Sequence, residues 1–178
     1  GGAKPRATNA YKEWRAAVQE EAAGKIIVEQ GEYDTARITA ENVRHNRASR
    51  KILNMCPLHE QPVEWEYLNF KFKGYKDGEG EKAIFDLKVM PDANPRKVDR
   101  EIIDRWLYVQ AAMYCYGSGG YKPYYIIAVD RSNGVCVKEL HQKLVEQGMD
   151  EYDRYVKLFN QCILDEAWDQ SYDFYSER

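Results

Sequence analysis

One short segment, residues 83–89 with the sequence AIFDLKV, constrains the fold of this chain more than any other. Side chains on a strand alternate between two faces, so Phe85 and Leu87 share one face and Asp86 and Lys88 share the other. Apolar residues on both faces are typical of a central strand that is covered on both sides. Burying a carboxylate beside an ammonium is costly unless the two charges are paired or serve a site. The segment therefore predicts a central strand that carries either a plain salt bridge or a functional pair.

Apolar periodicity and turn signals divide the rest of the chain into helices and strands. Strands are predicted for residues 63–73, 82–90, 124–129 and 135–140, and helices for residues 9–23, 33–52, 98–116 and 140–168. Asn46 is expected to break the second helix and Gly148 the last one, while residues 74–81 and 132–134 are expected turns. This order predicts an α/β fold: a central mixed β-sheet flanked by helices, with a helical N-terminal segment.

Length and composition limit the class of protein. The chain has 178 residues, of which 44% are apolar, so we expect a single globular domain over residues 1–178 with a substantial core. A net charge of −3 argues against binding nucleic acid through overall charge, although basic contacts can be local. The four cysteines form no CxxC pair, so a zinc or iron–sulfur site is unsupported. Neither a transmembrane run nor a signal-peptide pattern occurs, which predicts a cytoplasmic protein.

Three polar positions surround the Asp86–Lys88 pair in the sequence. Asp77 lies nine residues before Asp86 across a Gly-rich stretch. A turn there would bring two carboxylates together, which suits Mg²⁺ because this ion takes its other oxygens from water and substrate phosphate. The alternative for Asp77 is a plain turn residue. Gln110 and Tyr114 stand four apart on a predicted helix and so share a face, the alternative for Gln110 being a core hydrogen bond to backbone.

These positions form three short motifs in a fixed order. Gly74 to Asp77 reads G-x-x-D, Asp86 to Lys88 reads D-x-K, and Gln110 to Tyr114 reads Q-x-x-x-Y. Together they resemble the PD-(D/E)xK nucleases of the RecB-like exonuclease group, which have a restriction-endonuclease-like core. The segments KGYKD, FDLKV, DANP, YVQAAMY, YYIIAVD and ITAENVRHNRASRKIL resemble the RecE (exonuclease VIII) type of nuclease domain over nearly the whole chain. The chain departs from that pattern in lacking the usual histidine in an upstream helix, and Val89 replaces the usual Thr.

The resemblance implies a Mg²⁺-dependent DNA exonuclease, with Mn²⁺ as a substitute metal, that degrades linear double-stranded DNA. It also implies 5′ to 3′ polarity and a role in recombination of the phage or prophage type. Asp77 and Asp86 would ligate the metal, and Lys88 would orient or help deprotonate the attacking water. Gln110 and Tyr114 would position Lys88, the water or the DNA.

Further residues are candidates for metal and DNA contacts. Glu64, from the predicted strand 63–73, is a candidate metal ligand that the pattern cannot separate from Glu66, and both could equally face solvent. The candidate DNA contacts are the basic residues Arg44, Arg47, Arg50, Lys51 and Lys73, for which the alternative is a solvated surface. The implied partners are double-stranded DNA ends, a single-strand annealing recombinase and further copies of the chain, with no membrane.

Two other functions stay open at this stage. The first is a structure-specific or restriction-type endonuclease of the same superfamily, because such enzymes share the carboxylate and lysine motifs. The second is a non-catalytic DNA-binding module on a nuclease fold, since a fold does not guarantee a function. The missing histidine keeps this reading open, whereas Asp77, Asp86 and Lys88 together argue against it. An upstream segment would supply the histidine if the chain begins inside the family domain.

Overall fold

The computed structural model describes residues 8–22, 25 and 27–168. The helices are α1 (Asn9–Glu21), α2 (Gln30–His45), α3 (Arg47–Met55), α4 (Pro95–Asp104), α5 (Leu107–Gly117) and α6 (Gln142–Leu164). The strands are β1 (Leu58–Tyr67), β2 (Phe70–Glu79), β3 (Ile84–Val89), β4 (Tyr124–Val129) and β5 (Val135–Leu140). The chain divides into two compact units, residues 1–38 and residues 39–178, and the second contains the whole sheet.

The five strands form one sheet in the order β1-β2-β3-β4-β5. β1, β2 and β3 pair antiparallel in sequence, β3 and β4 pair parallel, and β4 and β5 pair antiparallel. This mixed sheet confirms the predicted α/β class. β3 is its central strand, as the AIFDLKV segment predicts.

Helices pack on the two faces of this sheet. On one face, α4, α5 and α6 cover a core that includes Ile84 and Ile126. On the other face, Val43 from the end of α2 and Ile52 from α3 pack against Phe85 and its β4 neighbours. Both clusters lie within residues 39–178, so β3 is placed between two apolar layers.

The prediction of one strand over residues 63–73 is wrong. The chain reverses at Leu68-Asn69, which have φ values of 47° and 67°, so the segment is the hairpin of β1 and β2. A two-residue turn of this kind needs positive φ at both central residues, and Leu gives no such signal in a sequence. The predicted turn over residues 74–81 is also wrong, because β2 runs to Glu79 and the chain reverses only at residues 80–83.

The predicted helix over residues 98–116 is two helices, α4 and α5. They meet at Arg105-Trp106, where Trp106 has φ 57° and ψ 31°. A bulky aromatic residue is rare in this left-handed conformation, so the sequence could not indicate the break. The break at Asn46 is confirmed, because its side chain caps α3 by accepting hydrogen bonds from the backbone N–H groups of Ala48 and Ser49.

The expected break at Gly148 is absent, since α6 is continuous there. This glycine instead permits close packing on α5: a Cβ at Gly148 would lie 2.3 Å from the backbone oxygen of Tyr108. The N-cap of α1 is Thr8, and the predicted helix end at Ala23 lies outside the described residues. Across the described residues, no helix combines the length and apolar composition needed to cross a membrane.

Candidate active site

The first candidate carboxylate lies where β2 and β3 separate. The two strands pair at Glu79–Ile84 and at Gly78–Phe85. Asp77 is the residue of β2 that comes directly before Gly78, just beyond this pairing. Its Oδ2 accepts a hydrogen bond from the backbone N–H of Leu87 at 2.7 Å. The Asp77 carboxylate therefore accepts a hydrogen bond that a backbone carbonyl would accept in a regular strand pair. This bond holds the carboxylate in the fork between the two strands.

The second carboxylate, Asp86, is buried on β3 at 2% exposure. Its Oδ1 accepts a hydrogen bond of 3.4 Å from Nε2 of Gln110 on α5, and its Oδ2 lies 2.8 Å from Nζ of Lys88. Burial raises the pKa of the Asp86 carboxyl, the Lys88 ammonium opposes that rise, and the nearby charge of Asp77 adds to it. The structure thus brings together Asp77, Asp86, Lys88 and Gln110, four of the residues predicted for catalysis.

Arg105 is a further charged group near this cluster that the sequence did not reveal. It stands at the break between α4 and α5, and its guanidinium favours the ionised form of Asp86 and so lowers the pKa of that carboxyl. Its ion pair with Glu101 is long, at 3.7 Å. The α4–α5 break gives this arginine its position, and no sequence signal marks that break.

Tyr114 lies one helical turn beyond Gln110 on α5 and packs on β2. A Cβ at Gly74 would lie 2.7 Å from Cε1 of Tyr114, so the glycine of the G-x-x-D motif allows the ring to approach the strand. The ring also stands edge-on to Trp65, with centroids 6.4 Å apart. Among the described residues, Tyr114 makes no hydrogen bond to Asp86 or Lys88. Its position supports packing of α5 against β2.

Glu64 is not brought to the carboxylates. It is exposed on β1 and pairs in register with Lys73 on β2. Lys73 precedes Asp77 by four residues of strand, which spans about 13 Å at the usual rise per residue. The hairpin at Leu68-Asn69 explains this placement, because it puts Glu64 on an edge strand. We therefore remove Glu64 from the proposed metal ligands. Lys73 is exposed at the register position opposite Glu64.

A buried ion network flanks Asp77 on its own strand. Lys76, only 4% exposed, donates to the Glu79 carboxylate and, at 2.9 Å, to the Ser118 hydroxyl. Lys122 donates to the other Glu79 oxygen at 2.7 Å. Burial raises the pKa of Glu79, but the two lysines outweigh it and hold that pKa below its ordinary value. Lys76 is thus committed to the fold, and it ties β2 to the end of α5 beside Asp77.

The basic residues of α2 and α3 lie near the fork. Arg44, Arg47, Arg50 and Lys51 are all exposed, and within the described residues none of them has an ion-pair partner. Arg47, Arg50 and Lys51 line one surface cavity. Arg44 lines a second cavity together with Asp77 and His59. The fold therefore places a positive surface beside one of the two carboxylates, as the segment 44–51 suggested.

Asp77 and Asp86 are the residues that fit a magnesium ion. Mg²⁺ is commonly held by one or two carboxylates, with waters and substrate phosphate completing its coordination. A buried carboxylate with a raised pKa suits such a role, because a bound cation would offset the cost of its charge. In the part of the chain that the structure describes, no group of three or more His, Cys, Asp or Glu side chains could hold a metal. The fit therefore rests on two carboxylates.

Comparison with known proteins identifies the family of this chain. The family model of a PDDEXK-like domain of unknown function, DUF3799, matches residues 5–172, and the chain belongs to this family. A candidate exonuclease from Eubacterium rectale has a similar structure, with a TM-score of 0.64 and 12% identity. That match covers 85% of this chain and 61% of the other. SSO0001 matches over 84% of this chain and 87% of its own, with 11% identity and a TM-score of 0.39, which is too low to carry an argument. No curated protein matches the sequence.

The family and the fold together define the class of protein. The resemblance to PD-(D/E)xK nucleases is confirmed by the family model, and the restriction-endonuclease-like fold is supported by the solved structure. Nucleases of this class are phosphodiesterases that generally use divalent metals, and the family match supports a nuclease. The chain spans about 61% of the length of the Eubacterium rectale protein.

Proposed function

We propose that this protein is a Mg²⁺-dependent exonuclease that degrades linear double-stranded DNA from its ends. The observation that carries the proposal is the fork of β2 and β3, where Asp77 is held by the Leu87 N–H while Asp86 contacts Lys88 and Gln110. A structural salt bridge alone would not need a second carboxylate beside the buried one. Two carboxylates can hold the metal that assists phosphodiester hydrolysis, and a lysine beside them can act on the attacking water.

Each residue of the fork has a distinct part in this mechanism. Asp77 and Asp86 would hold Mg²⁺, which would polarise the scissile phosphate and favour ionisation of the attacking water. Lys88, 2.8 Å from Asp86, is placed to hold that water and to offset negative charge that develops on the phosphate. Gln110 orients the Asp86 carboxylate through its hydrogen bond to Oδ1. Tyr114 would not touch the metal or the DNA in this mechanism. It would hold α5, which carries Gln110, in place by packing on Gly74 of β2.

The basic surface of α2 and α3 would bind the DNA backbone. Arg44, Arg47, Arg50 and Lys51 are exposed and lie on the side of the sheet where Asp77 opens. Each phosphate contact adds affinity that falls with salt concentration. The 5′ to 3′ polarity, the single-strand annealing partner and assembly into a homo-oligomer rest on the resemblance to the RecE type, and end-labelled substrates would test the polarity.

One experiment separates an exonuclease from an endonuclease. Blunt linear duplex DNA and the same DNA as a covalently closed circle are incubated with the protein and Mg²⁺. The proposal predicts loss of the linear form only, with release of labelled nucleotides from an end. Loss of the circle would instead assign an endonuclease of the same superfamily.

A second candidate, a non-catalytic DNA-binding module, is favoured by one observation. The described residues contain no group of three or more His, Cys, Asp or Glu side chains that could hold a metal. Calorimetry with Mg²⁺ and Mn²⁺ distinguishes the two functions, because the exonuclease must bind at least one of these ions. Absence of binding by a folded protein would assign the non-catalytic module.

A further inference from the structure

One buried tyrosine carries a hydroxyl group that has no partner in the fold. Tyr124 is the first residue of β4 and is 0% exposed, yet among the described residues its hydroxyl makes no hydrogen bond. Buried polar groups are nearly always paired, because an unpaired donor has given up its bonds to water and gained none in return. The hydroxyl of Tyr124 therefore needs an explanation that packing alone does not give.

The sheet places the Tyr124 side chain on the same face as Asp86. Tyr124 pairs in register with Ile84, and Ile84 and Asp86 share a face of β3 because they are two residues apart. Tyr124 belongs to the apolar cluster under α5, the helix whose Gln110 donates to Asp86. Burial raises the pKa of the Tyr124 hydroxyl well above its ordinary value, and the charge of Asp86 adds to this rise. The hydroxyl is thus a protonated donor close enough to Asp86 to be affected by its charge.

Asp86 has bonding capacity left for such a donor. A carboxylate offers about four lone-pair sites. Its Oδ1 accepts only the long hydrogen bond of 3.4 Å from Gln110. Its Oδ2 lies 2.8 Å from the Lys88 ammonium and is otherwise without a hydrogen bond. A buried donor on β4 and a buried acceptor on β3 are therefore both incompletely bonded in the arrangement that the structure shows.

Stability alone does not favour a tyrosine at this position. A phenylalanine would fill the same space without an unpaired hydroxyl, and removing an unpaired polar atom from a core is neutral or stabilising. Tyr152 provides the contrast, since it is 3% exposed and its hydroxyl accepts a hydrogen bond of 3.0 Å from Nε1 of Trp65. The hydroxyl of Tyr152 serves the fold, whereas the hydroxyl of Tyr124 is available for the neighbouring site.

We propose that Tyr124 is a positioning residue of the metal site, whose hydroxyl donates a hydrogen bond that holds the Asp86 carboxylate when this carboxylate binds the metal. This inference rests on the proposed function, in which Asp86 is a metal ligand. A cation on Asp86 repels the Lys88 ammonium, so the carboxylate loses one partner and needs another donor. Gln110 holds this carboxylate from α5, and Tyr124 holds it from β4.

The variants Tyr124→Phe and Tyr152→Phe test this inference as a matched pair, because each removes one oxygen from a buried tyrosine. Hydrogen bonds that hold a metal-binding carboxylate commonly contribute about 10- to 100-fold in metal affinity. We therefore expect Tyr124→Phe to weaken Mg²⁺ binding in calorimetry by about 10- to 100-fold, while its midpoint of urea denaturation in EDTA equals or exceeds that of the parent protein. Tyr152→Phe is expected to keep the Mg²⁺ affinity and to lower the midpoint, since Nε1 of Trp65 loses its acceptor.

Three results would overturn the inference. The first is parent-like Mg²⁺ affinity in Tyr124→Phe. The second is a midpoint in EDTA that falls as far in Tyr124→Phe as in Tyr152→Phe, because the hydroxyl would then have a structural partner. The third comes from nuclear magnetic resonance of protein with ¹³C at the tyrosine Cζ atoms, where the variants assign the two resonances. Saturation with Mg²⁺ is expected to shift the Tyr124 resonance and not that of Tyr152, and an unmoved Tyr124 resonance contradicts the inference.

The same measurements separate this inference from the proposed function. Circular dichroism shows whether both variants keep the parent fold. Mg²⁺ binding by the parent protein together with equal binding by Tyr124→Phe would overturn the role of Tyr124 alone and leave the nuclease assignment in place. Absence of Mg²⁺ binding by the folded parent protein would overturn the proposed function and this inference with it.

Discussion

The close pairing of Gly78 with Phe85 provides a sharp test of how the fork is built. These two residues form the last pair before β2 and β3 separate, and they directly adjoin Asp77 and Asp86. A Cβ at Gly78 would lie 2.0 Å from Cε1 of the buried Phe85 ring. That is about 1.4 Å short of the 3.4 Å at which ordinary van der Waals contact begins. The variant Gly78→Ala must therefore displace the ring or move β2 away from β3.

The size of this displacement determines how much stability and how much cleavage activity the variant should lose. Overpacking of a core position costs about 1–3 kcal/mol of the free energy of unfolding. Magnesium requires oxygens at about 2.0–2.1 Å, so carboxylates that move apart by an ångström cannot keep their affinity. A misplacement of about 1 Å costs about 100-fold in rate. We therefore expect Gly78→Ala to lose about 1–3 kcal/mol in urea denaturation and about 100-fold in DNA cleavage.

Two further variants make the test specific. Gly78→Ala combined with Phe85→Leu removes most of the ring, and we expect it to recover Mg²⁺ binding and cleavage relative to Gly78→Ala alone. Gly31→Ala on the exposed surface of α2 is the matched control, because a Cβ there would meet nothing within 4 Å. Retention of full Mg²⁺ affinity and cleavage in Gly78→Ala would refute the claim that this pairing positions the two carboxylates.

Three other predictions concern the buried carboxylate and the packing of α6. The variant Asp86→Asn should abolish Mg²⁺ binding in calorimetry and raise the free energy of unfolding at pH 7 by roughly 0.5–2 kcal/mol, because it removes a buried charge beside Asp77; unchanged Mg²⁺ affinity would sink the ligand assignment. Because burial raises the pKa of Asp86 above its unfolded value of 3.8, the folded state binds this proton more tightly, so the stability from this group falls as pH rises from 3.8 through the folded pKa. The advantage of Asp86→Asn in thermal denaturation should therefore disappear below about pH 3.8, where the carboxyl is protonated in both states; an equal advantage at pH 3 and pH 7 would contradict this. Gly148→Ala should lower the free energy of unfolding by about 1–2 kcal/mol in urea, since its clash with the Tyr108 backbone outweighs the gain in helix propensity; a stabilised variant would show that α6 can move away from α5.

Local pattern was enough to predict the central strand and the order of the elements around it. The run AIFDLKV is short, apolar on both faces and interrupted by two charges, and β3 occupies the predicted position. The strands over residues 124–129 and 135–140 have the predicted bounds, since turn residues delimit each of them. Spacing alone placed Asp86 and Lys88 together, because they share a face of one strand. The parts of Asp77 and Gln110 came from the resemblance.

Some features of the fold could not be predicted, because their backbone conformations or strand pairings occur at residues that give no signal for them. The alternation of apolar and polar residues continues on both sides of the turn at Leu68-Asn69, so the pattern predicts one strand where the structure has a hairpin. For the same reason, the sequence predicts Glu64 closer to the site than it lies. Trp106 adopts positive φ although aromatic residues seldom do, so the sequence does not indicate the break between α4 and α5 that positions Arg105. His59 reaches the cavity beside Asp77 through long-range pairing of β1 with β2, which no local pattern encodes.

The most direct test of the account is cleavage of linear duplex DNA by the parent protein and by Lys88→Ala, each with Mg²⁺ and with EDTA. The account predicts that the parent protein degrades the DNA only with Mg²⁺. It predicts that Lys88→Ala binds Mg²⁺ and DNA, keeps its fold by circular dichroism and cuts at least about 100-fold more slowly, as expected when a group that acts on the attacking water is removed. Cleavage by Lys88→Ala at the parent rate, or cleavage by the parent protein in EDTA, would contradict the assignment of this fork as a metal-dependent nuclease site.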